Sequence, residues 1–308
     1  MWEDIEIAKK KAGRQVRIVT WNLGYGGLGK NSDFKYDGGE RWLPPSRHDT
    51  QSNVFGITNW LKECNADILL LQEVATGGII NFWVNLRKDL NKVFRAWNQI
   101  FFADIKTRLL PFPFSVMHGL VTYSTLAIKS DELLSLPSDG DISFGIFNKK
   151  YRAIVTNCTI ENSTEYWCII NIHFSAFDSG GILRKKQLQH VLEYAQAEEK
   201  AGAHIVIGGD FNLRLGHTEF THTTNDKYIW NFKDFESDIL PQGWKLHADT
   251  TVPSVRSDDR PYEKGQNYTT VIDGFITSTK VRAVSVTGID MGFEFSDHNP
   301  VVGEFEVK

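Results

Sequence analysis

Several polar clusters stand immediately beyond apolar runs, and their residue types suit a hard divalent cation acting on a phosphate group. Trp21-Asn22 follows Arg17-Ile18-Val19-Thr20, and Gln72-Glu73 follows Asp67-Ile68-Leu69-Leu70-Leu71. Gly208-Gly209-Asp210-Phe211-Asn212 follows Ala203-His204-Ile205-Val206-Ile207, its paired glycines letting backbone pass close to a bound group. Ser296-Asp297-His298-Asn299-Pro300 precedes the last apolar run, His173 ends the run from Cys168, and Asp273 interrupts the apolar stretch Ile272-Asp273-Gly274-Phe275. Singly, each has a plain structural reading: Asp210 or Glu73 as a helix cap, Asp273 as a satisfied core acid, His173 as a donor to a carbonyl. Together, carboxylates and amides at several strand ends make the oxygen-rich setting that Mg²⁺ or Mn²⁺ prefers, with substrate phosphate completing the shell. Zinc fits less well, because the chain has neither His-x-x-x-His nor a cysteine pair at zinc spacing. A nucleophile elbow and a Walker loop are also missing; the glycine-rich Gly24–Gly29 stretch reads as a mobile loop beside the site.

Positioning those groups requires a scaffold of many strands. Short β-rich runs cover Val16 to Asn22, Ile68 to Glu73, Gly119 to Ile128, Ala153 to Ile160, Trp167 to His173, Ile205 to Asp210, Val271 to Thr277 and Val301 to Val307. Helical patterns cover Asp49 to Cys64, Thr76 to Asn91 and Gly181 to Lys200. Strands mixed with both helices and hairpins predict an α/β sandwich of two packed mixed sheets with helices outside. Two long connections remain. Phe101 to His118 reads as a flap packed on the core, and His217 to Tyr268, with Trp230, Phe232, Phe235 and Trp244, as a segment folded on itself near the site.

The 308 residues carry 41% hydrophobic and 23% charged side chains, enough to build a large core and to exclude intrinsic disorder. A net charge of −4 argues against a protein that coats nucleic acid electrostatically, while leaving room for a locally basic groove. No repeat, low-complexity tract or Pro/Ser-rich linker divides the chain, so one catalytic domain over residues 1–308 is expected, with about 1–15 as a lead-in. The three cysteines suit a reducing compartment, and no apolar run approaches membrane-spanning length, so a cytoplasmic location is expected. An exported protein already cleaved would look the same, and Cys158 and Cys168 could then bridge a hairpin.

Taken in order, Trp21-Asn22, Leu71-Gln72-Glu73, Asn171-Ile172-His173, Gly209-Asp210-Phe211-Asn212, Ile272-Asp273-Gly274-Phe275 and Ser296-Asp297-His298-Asn299-Pro300 resemble the signature series of the endonuclease/exonuclease/phosphatase superfamily. That superfamily includes deoxyribonuclease I, abasic-site endonucleases, neutral sphingomyelinases, inositol polyphosphate 5-phosphatases, deadenylases and tyrosyl-DNA phosphodiesterases. Gly119-Leu120-Val121 with Tyr123-Ser124, Arg184 with Gln187, and Pro253-Ser254-Val255-Arg256 fall where that superfamily has similar residues. The resemblance implies a four-layer αββα sandwich, deoxyribonuclease I-like, that hydrolyses phosphate esters with a divalent metal. By position it implies Glu73 as a direct Mg²⁺ ligand with Asn22 and Asp297 near the metal. Asp210 would orient and deprotonate the attacking water, and Asn212 would hold a phosphate oxygen. His298 would contact the scissile phosphate with Asp273 fixing its tautomer, and His173 would be a second phosphate donor. The chain departs from the pattern at Thr125-Leu126 after Ser124, and no tyrosine falls in the phosphate-contacting position of some nucleases. Arg152 is a candidate phosphate clamp in its place, though an exposed strand-start arginine is the plainer reading.

The expectation is therefore a Mg²⁺-dependent phosphodiesterase acting on a phosphate-ester substrate, with nucleic acid favoured over lipid or inositol phosphate. The alternative is a sphingomyelinase-like or small-phosphate-ester hydrolase, whose apolar Leu109-Leu110-Pro111-Phe112-Pro113-Phe114 run would dip into a membrane surface. A non-catalytic binding scaffold of the same fold is disfavoured because every expected catalytic side chain is intact. Nothing points to an obligate protein partner, and a monomer is expected.

Overall fold

A computed structural model describes residues 13–107, 116–138, 142–144, 147–176, 178, 180–229 and 233–308. In chain order the elements are β1 (Gln15–Asn22), α1 (Arg47–Glu63), β2 (Ile68–Ala75), α2 (Leu86–Val93), β3 (Asn98–Thr107), β4 (Met117–Ser124), β5 (Ile128–Ser135), β6 (Ile142–Phe144), β7 (Phe147–Lys149) and β8 (Arg152–Thr159). They continue with β9 (Tyr166–His173), α3 (Ile182–Lys200), β10 (Ala203–Asp210), β11 (Lys245–His247), β12 (Val255–Arg256), β13 (Thr269–Thr270), β14 (Asp273–Thr277), β15 (Val281–Gly288) and β16 (Val301–Val307). One sheet of eight strands runs β15-β16-β1-β2-β4-β3-β7-β6, the second, of six, runs β11-β14-β10-β9-β8-β5, and β12 pairs with β13 apart from both.

Burial sorts these elements into four layers. Val16, Ile18, Ile68 and Leu70 of the first sheet meet Trp167, Ile169, Val206 and Phe275 of the second in the central core. The next residues along, Val19, Trp21, Leu69 and Leu71, face outward and are covered by Val54, Ile57 and Leu61 of α1 and by Leu86 and Leu90 of α2. On the far side, Cys168, Ile170, Ile205 and Ile207 are covered by Leu188, Val191 and Leu192 of α3. This is the two-step alternation of a strand buried on both faces. The observed αββα sandwich agrees with the expected deoxyribonuclease I-like class. One polar tie crosses the central core: Gln72 Nε2 donates to Asn171 Oδ1 (2.8 Å), and Asn171 Nδ2 donates to the Val121 carbonyl (3.0 Å).

The structure corrects several sequence expectations. The run Gly119 to Ile128 is not one strand; β4 ends at Ser124, and β5 starts at Ile128 in the other sheet. The stretch Thr76 to Asn91 is not one helix, because Phe82 and Trp83 take left-handed backbone, and α2 starts only where Asn85 Oδ1 accepts from Lys88 N (2.9 Å). The first part of the expected Phe101 to His118 flap is strand β3, and its end begins β4; Leu109 to Phe114 lie outside the described residues, as do Trp230 and Phe232. The Gly24–Gly29 loop is packed rather than mobile, held by Asn53 Nδ2 on the Gly26 carbonyl (3.2 Å) and Arg256 Nη2 on the Gly29 carbonyl (2.9 Å). Cys158 and Cys168 cannot bridge. Cys158 lies opposite Trp167 and faces the central core, whereas Cys168 lies opposite Asn157 and faces α3. The His217 to Tyr268 segment does fold back on itself, with Thr223 N on the Gln266 carbonyl (2.9 Å) and Tyr268 N on Thr224 Oγ1 (2.8 Å).

Two features yield checks on this architecture. At the end of α3, burial works against the charge of Glu199, but hydrogen bonds from Thr279 (Oγ1, 2.6 Å) and Trp244 (Nε1, 3.0 Å) outweigh it and hold the carboxyl below its usual range. Stability from that lowered value is present above the unfolded-chain pKa and is lost as pH falls through the folded one. The stability difference between wild type and Glu199→Gln, read by urea denaturation, is therefore expected to be largest near neutrality and to shrink below about pH 4. On β10, Gly209 has φ +149°, and a Cβ there would lie 2.0 Å from the Ile172 carbonyl oxygen. Gly209→Ala is expected to destabilise by roughly 2–4 kcal/mol, measured by denaturant midpoint; an unchanged midpoint would contradict this packing.

Candidate active site

The strands of both sheets end together at one edge of the sandwich, and unusual backbone aims their last side chains inward. Pairing of β2 with β4 shifts register between Leu71 and Val74, so Gln72 and Glu73 form a bulge, and Glu73 takes φ +53°. Asn212 has φ +50° just past β10. Left-handed backbone at a carboxylate and an amide is strain that a site uses to fix direction. Before β16, Ser296 Oγ donates to the Asn22 carbonyl (2.8 Å) and Trp21 Nε1 to the His298 carbonyl (2.8 Å), pinning the Ser296–Pro300 loop against the end of β1.

At the centre is a buried dyad. Asp273 and His298 meet with Oδ2 and Nδ1 2.9 Å apart, and Asp273 Oδ2 also accepts from Ser254 Oγ (2.7 Å). Burial opposes the charge on His298, but Asp273, followed by Asp297 and Asp210, outweighs it and raises the imidazolium to about 10. The ring thus stays protonated, with Nδ1–H on Asp273 and Nε2–H aimed toward Asp210, whose Oδ2 is 3.9 Å away. Asp210 accepts from Asn22 Nδ2 (3.1 Å) and from Asn212 N (2.9 Å). Burial, then the charge of Asp273, pushes the Asp210 carboxyl above its usual range. His173 Nε2 stands 3.7 Å from Asp210 Oδ2 and 3.9 Å from Glu73 Oε1. The Nε2 atoms of His298 and His173 therefore both lie within 4 Å of Asp210 Oδ2, the arrangement of a base flanked by two hydrogen-bonding donors.

A second acidic group adjoins this one. Asp297 and Asp258 are both buried, and Arg256 Nη1 lies 2.5 Å from Asp258 Oδ1. Burial, then the charge of Asp258, pushes Asp297 far above the ordinary carboxylate range, with Glu73 adding to the effect. A Cβ at Gly24 would sit 2.5 Å from Asp297 Oδ1, so the turn makes room for the carboxylate only as glycine. Crowded buried carboxylates beside such a cradle are a chemical fit for a divalent cation, which relieves the repulsion. A separate trio, Asp210, Asp273 and His298, also brings ligand atoms within 4.8 Å of one another, but Asp273 Oδ2 is already engaged by His298 and Ser254.

Of the residues singled out in the sequence, Asn22, Glu73, His173, Asp210, Asp273, Asp297 and His298 converge here. The Asn22 oxygen accepts from Gly24 N (3.1 Å) while its Nδ2 donates to Asp210 Oδ2 (3.1 Å). Asn212 is adjacent, its Nδ2 donating to the Phe174 carbonyl (3.0 Å) and its own carbonyl held by Arg184. Arg152 is not among them; its guanidinium lies 5.1 Å from the Phe102 ring centroid. Sequence reasoning missed Asp258, two residues beyond the noted Arg256, and Asp104, whose Oδ2 is 3.7 Å from His173 Nδ1 and whose Oδ1 is 3.4 Å from His118 Nδ1. It also missed Tyr25, in left-handed backbone, whose phenol is pushed far up by burial and then by Glu73, Asp258 and Asp297.

An αββα sandwich carrying acids, amides and an Asp–His dyad at one edge defines the class of metal-assisted phosphoesterases. The chain belongs to the Endonuclease/Exonuclease/phosphatase family, whose sequence model matches residues 19–298. Members are hydrolases acting on phosphoesters with divalent metals. A search of curated proteins found no match. Among solved structures, D. rerio TDP2 complexed with single strand DNA product superposes with TM-score 0.59 at 14% identity, over 95% of this chain and 99% of that one. An endonuclease/exonuclease/phosphatase from Beutenbergia cavernae gives 0.60 at 16%, over 96% and 72%. The human Nocturnin catalytic domain with bound sulfate anion gives 0.58 at 17%, over 97% of each.

Proposed function

We propose that the protein is a Mg²⁺-dependent phosphodiesterase that cleaves nucleic acid by attack of an activated water. The observation that carries the reaction is the convergence of Asp210, His298 and His173 on one space. Asp210 Oδ2, held by Asn22 and raised in basicity by burial and Asp273, takes the proton from the attacking water. His298, kept cationic by Asp273, donates through Nε2–H to a non-bridging phosphate oxygen, and His173 donates to a second. Asn212 stiffens Asp210 through its backbone N–H, with one Nδ2 proton left for phosphate. Glu73 and Asp297 would hold the cation, with Asn22 and Asp258 beside them. Bound there, it would neutralise charge on the phosphate and lower the pKa of coordinated water. A nucleic-acid substrate is supported by the DNA product held by the D. rerio TDP2 neighbour.

Glu73→Gln is expected to raise the half-activating Mg²⁺ concentration about tenfold or more, because a neutral amide is a poorer ligand than a carboxylate. An unchanged metal titration would remove Glu73 from the ligand set. Substrate class is tested by hydrolysis of abasic-site duplex DNA, single-stranded DNA, RNA, sphingomyelin and an inositol polyphosphate, each with Mg²⁺ and with chelator. Chelator-sensitive cleavage of nucleic acid is the expected result. Cleavage confined to sphingomyelin or the inositol phosphate would overturn the substrate assignment while leaving the catalytic roles in place.

A further inference from the structure

Beside His173, a cavity of about 420 Å³ opens between the sheets, lined by Phe102, Asp104, Lys106, Lys150 and Arg152 among others. Its position follows from strand geometry. Ile154 of β8 pairs with Asn171 of β9, so two residues further the register sets Arg152 across from His173. Ile154 packs with Phe102 and Leu120 in the space between the sheets. Arg152, on the same face of β8, turns toward that space too, which is why its guanidinium lies over Phe102. Opposite, pairing of β3 with β4 slips between Ala103 and Ile105, so Asp104 is a bulged residue whose carboxylate is re-aimed at His173 and His118. Lys150 N donates to the Asp104 carbonyl (2.7 Å), which brings the start of β8 against β3 at this point. Asp104 is thus the wall shared by the cavity and the catalytic space.

The charge of the cavity is the informative feature. Among the described residues, Lys106, Lys150 and Arg152 have no carboxylate within ion-pair distance, although the chain has a net charge of −4. Three cations left facing one concavity make an anion receptor, and a guanidinium with two ammonium groups matches phosphate oxygens. We infer that this cavity is a second phosphate subsite, which holds the phosphate neighbouring the scissile one on a nucleic-acid strand. The inference rests on the nucleic-acid reading above and deepens it: the preferred substrate carries a further phosphate next to the bond that is cut.

The test compares the dinucleoside monophosphate dTpdT with its 5′-phosphorylated and 3′-phosphorylated forms. With wild type, one phosphorylated form is expected to show a KM about tenfold below that of dTpdT, an advantage that weakens as salt rises. In Lys106→Ala/Lys150→Ala that KM ratio is expected to collapse toward one, and Arg152→Gln is expected to reduce it. Equal KM for all three substrates, or a ratio that survives the double substitution, would overturn the subsite. If none of the three is cleaved, the nucleic-acid reading is what fails, and calorimetric titration of pyrophosphate in the presence of chelator decides the cavity by itself. Pyrophosphate binding lost in the double variant would uphold the receptor; no binding, or equal binding to the variant, would reject it.

Discussion

Asp210→Asn is expected to lower kcat by about a thousandfold or more without unfolding the protein. The carboxylate accepts two hydrogen bonds, from Asn22 Nδ2 and Asn212 N, and is the group proposed above to receive the proton from water. An amide of the same shape keeps one acceptor oxygen and cannot take that proton. Its stability cost is limited by an opposing effect: burial and the nearby Asp273 already disfavour charge at this position. A neutral side chain relieves that penalty while losing one hydrogen bond, worth about 1 kcal/mol. Rates and thermal unfolding measured on the same preparation separate the two effects. A folded variant turning over at the wild-type rate would remove Asp210 from its role as base.

Asp273→Asn is expected to have a comparable effect by a different route, a loss of roughly a thousandfold to ten-thousandfold in kcat with KM little changed. We assign Asp273 as a positioning residue, buried and hydrogen-bonded to both Ser254 and His298. Removing its charge lets His298 deprotonate and choose the other tautomer, so that Nε2 offers a lone pair where a donor is needed. The ring would be disordered in protonation before it is disordered in place. Nuclear magnetic resonance of the His298 ring in wild type and variant reads that change directly, and a proton retained on both nitrogens at neutral pH in the variant would contradict the assignment. Ser254→Ala removes the supporting hydroxyl but keeps the charge, and is expected to cost far less.

The residues legible in the sequence share one physical reason. Asn22, His173 and Asp210 each end a strand buried on both faces, and Glu73 sits in the β2 bulge just after Ile68–Leu71; a polar side chain after an unbroken apolar run is conspicuous. Asp273 and His298 were legible for the same contrast, one at the start of an apolar strand and one just before another. The overlooked residues lack that contrast. Asp104 sits at a bulge in β3, whose alternation is blurred by the apolar run after it. Asp258 belongs to Ser257-Asp258-Asp259-Arg260, which reads as solvated charge until Arg256 is seen buried beneath it. The edge strand β5, Ile128–Ser135, is mostly exposed and carries Lys129, Asp131 and Glu132, so it has neither an apolar run nor a clean alternation. Edges kept polar guard against pairing with other chains, and the same polarity hides them from hydropathy.

The tie between Gln72 and Asn171 has a consequence for how this protein can change. Glu73, Asn22 and Asp297 are carried by the eight-stranded sheet and the loop entering it, whereas Asp210, Asp273 and His173 are carried by the six-stranded one. Neither sheet owns a working half, so the reaction depends on their alignment, and the two tied amides lie next to Glu73 on one side and two residues from His173 on the other. A repacking of the central core that slides one sheet by a fraction of an ångström would shift Glu73 and Asp297 against Asp210 while leaving both sheets well folded. Drift in that core is thereby under the same selection as the groups proposed to do the chemistry.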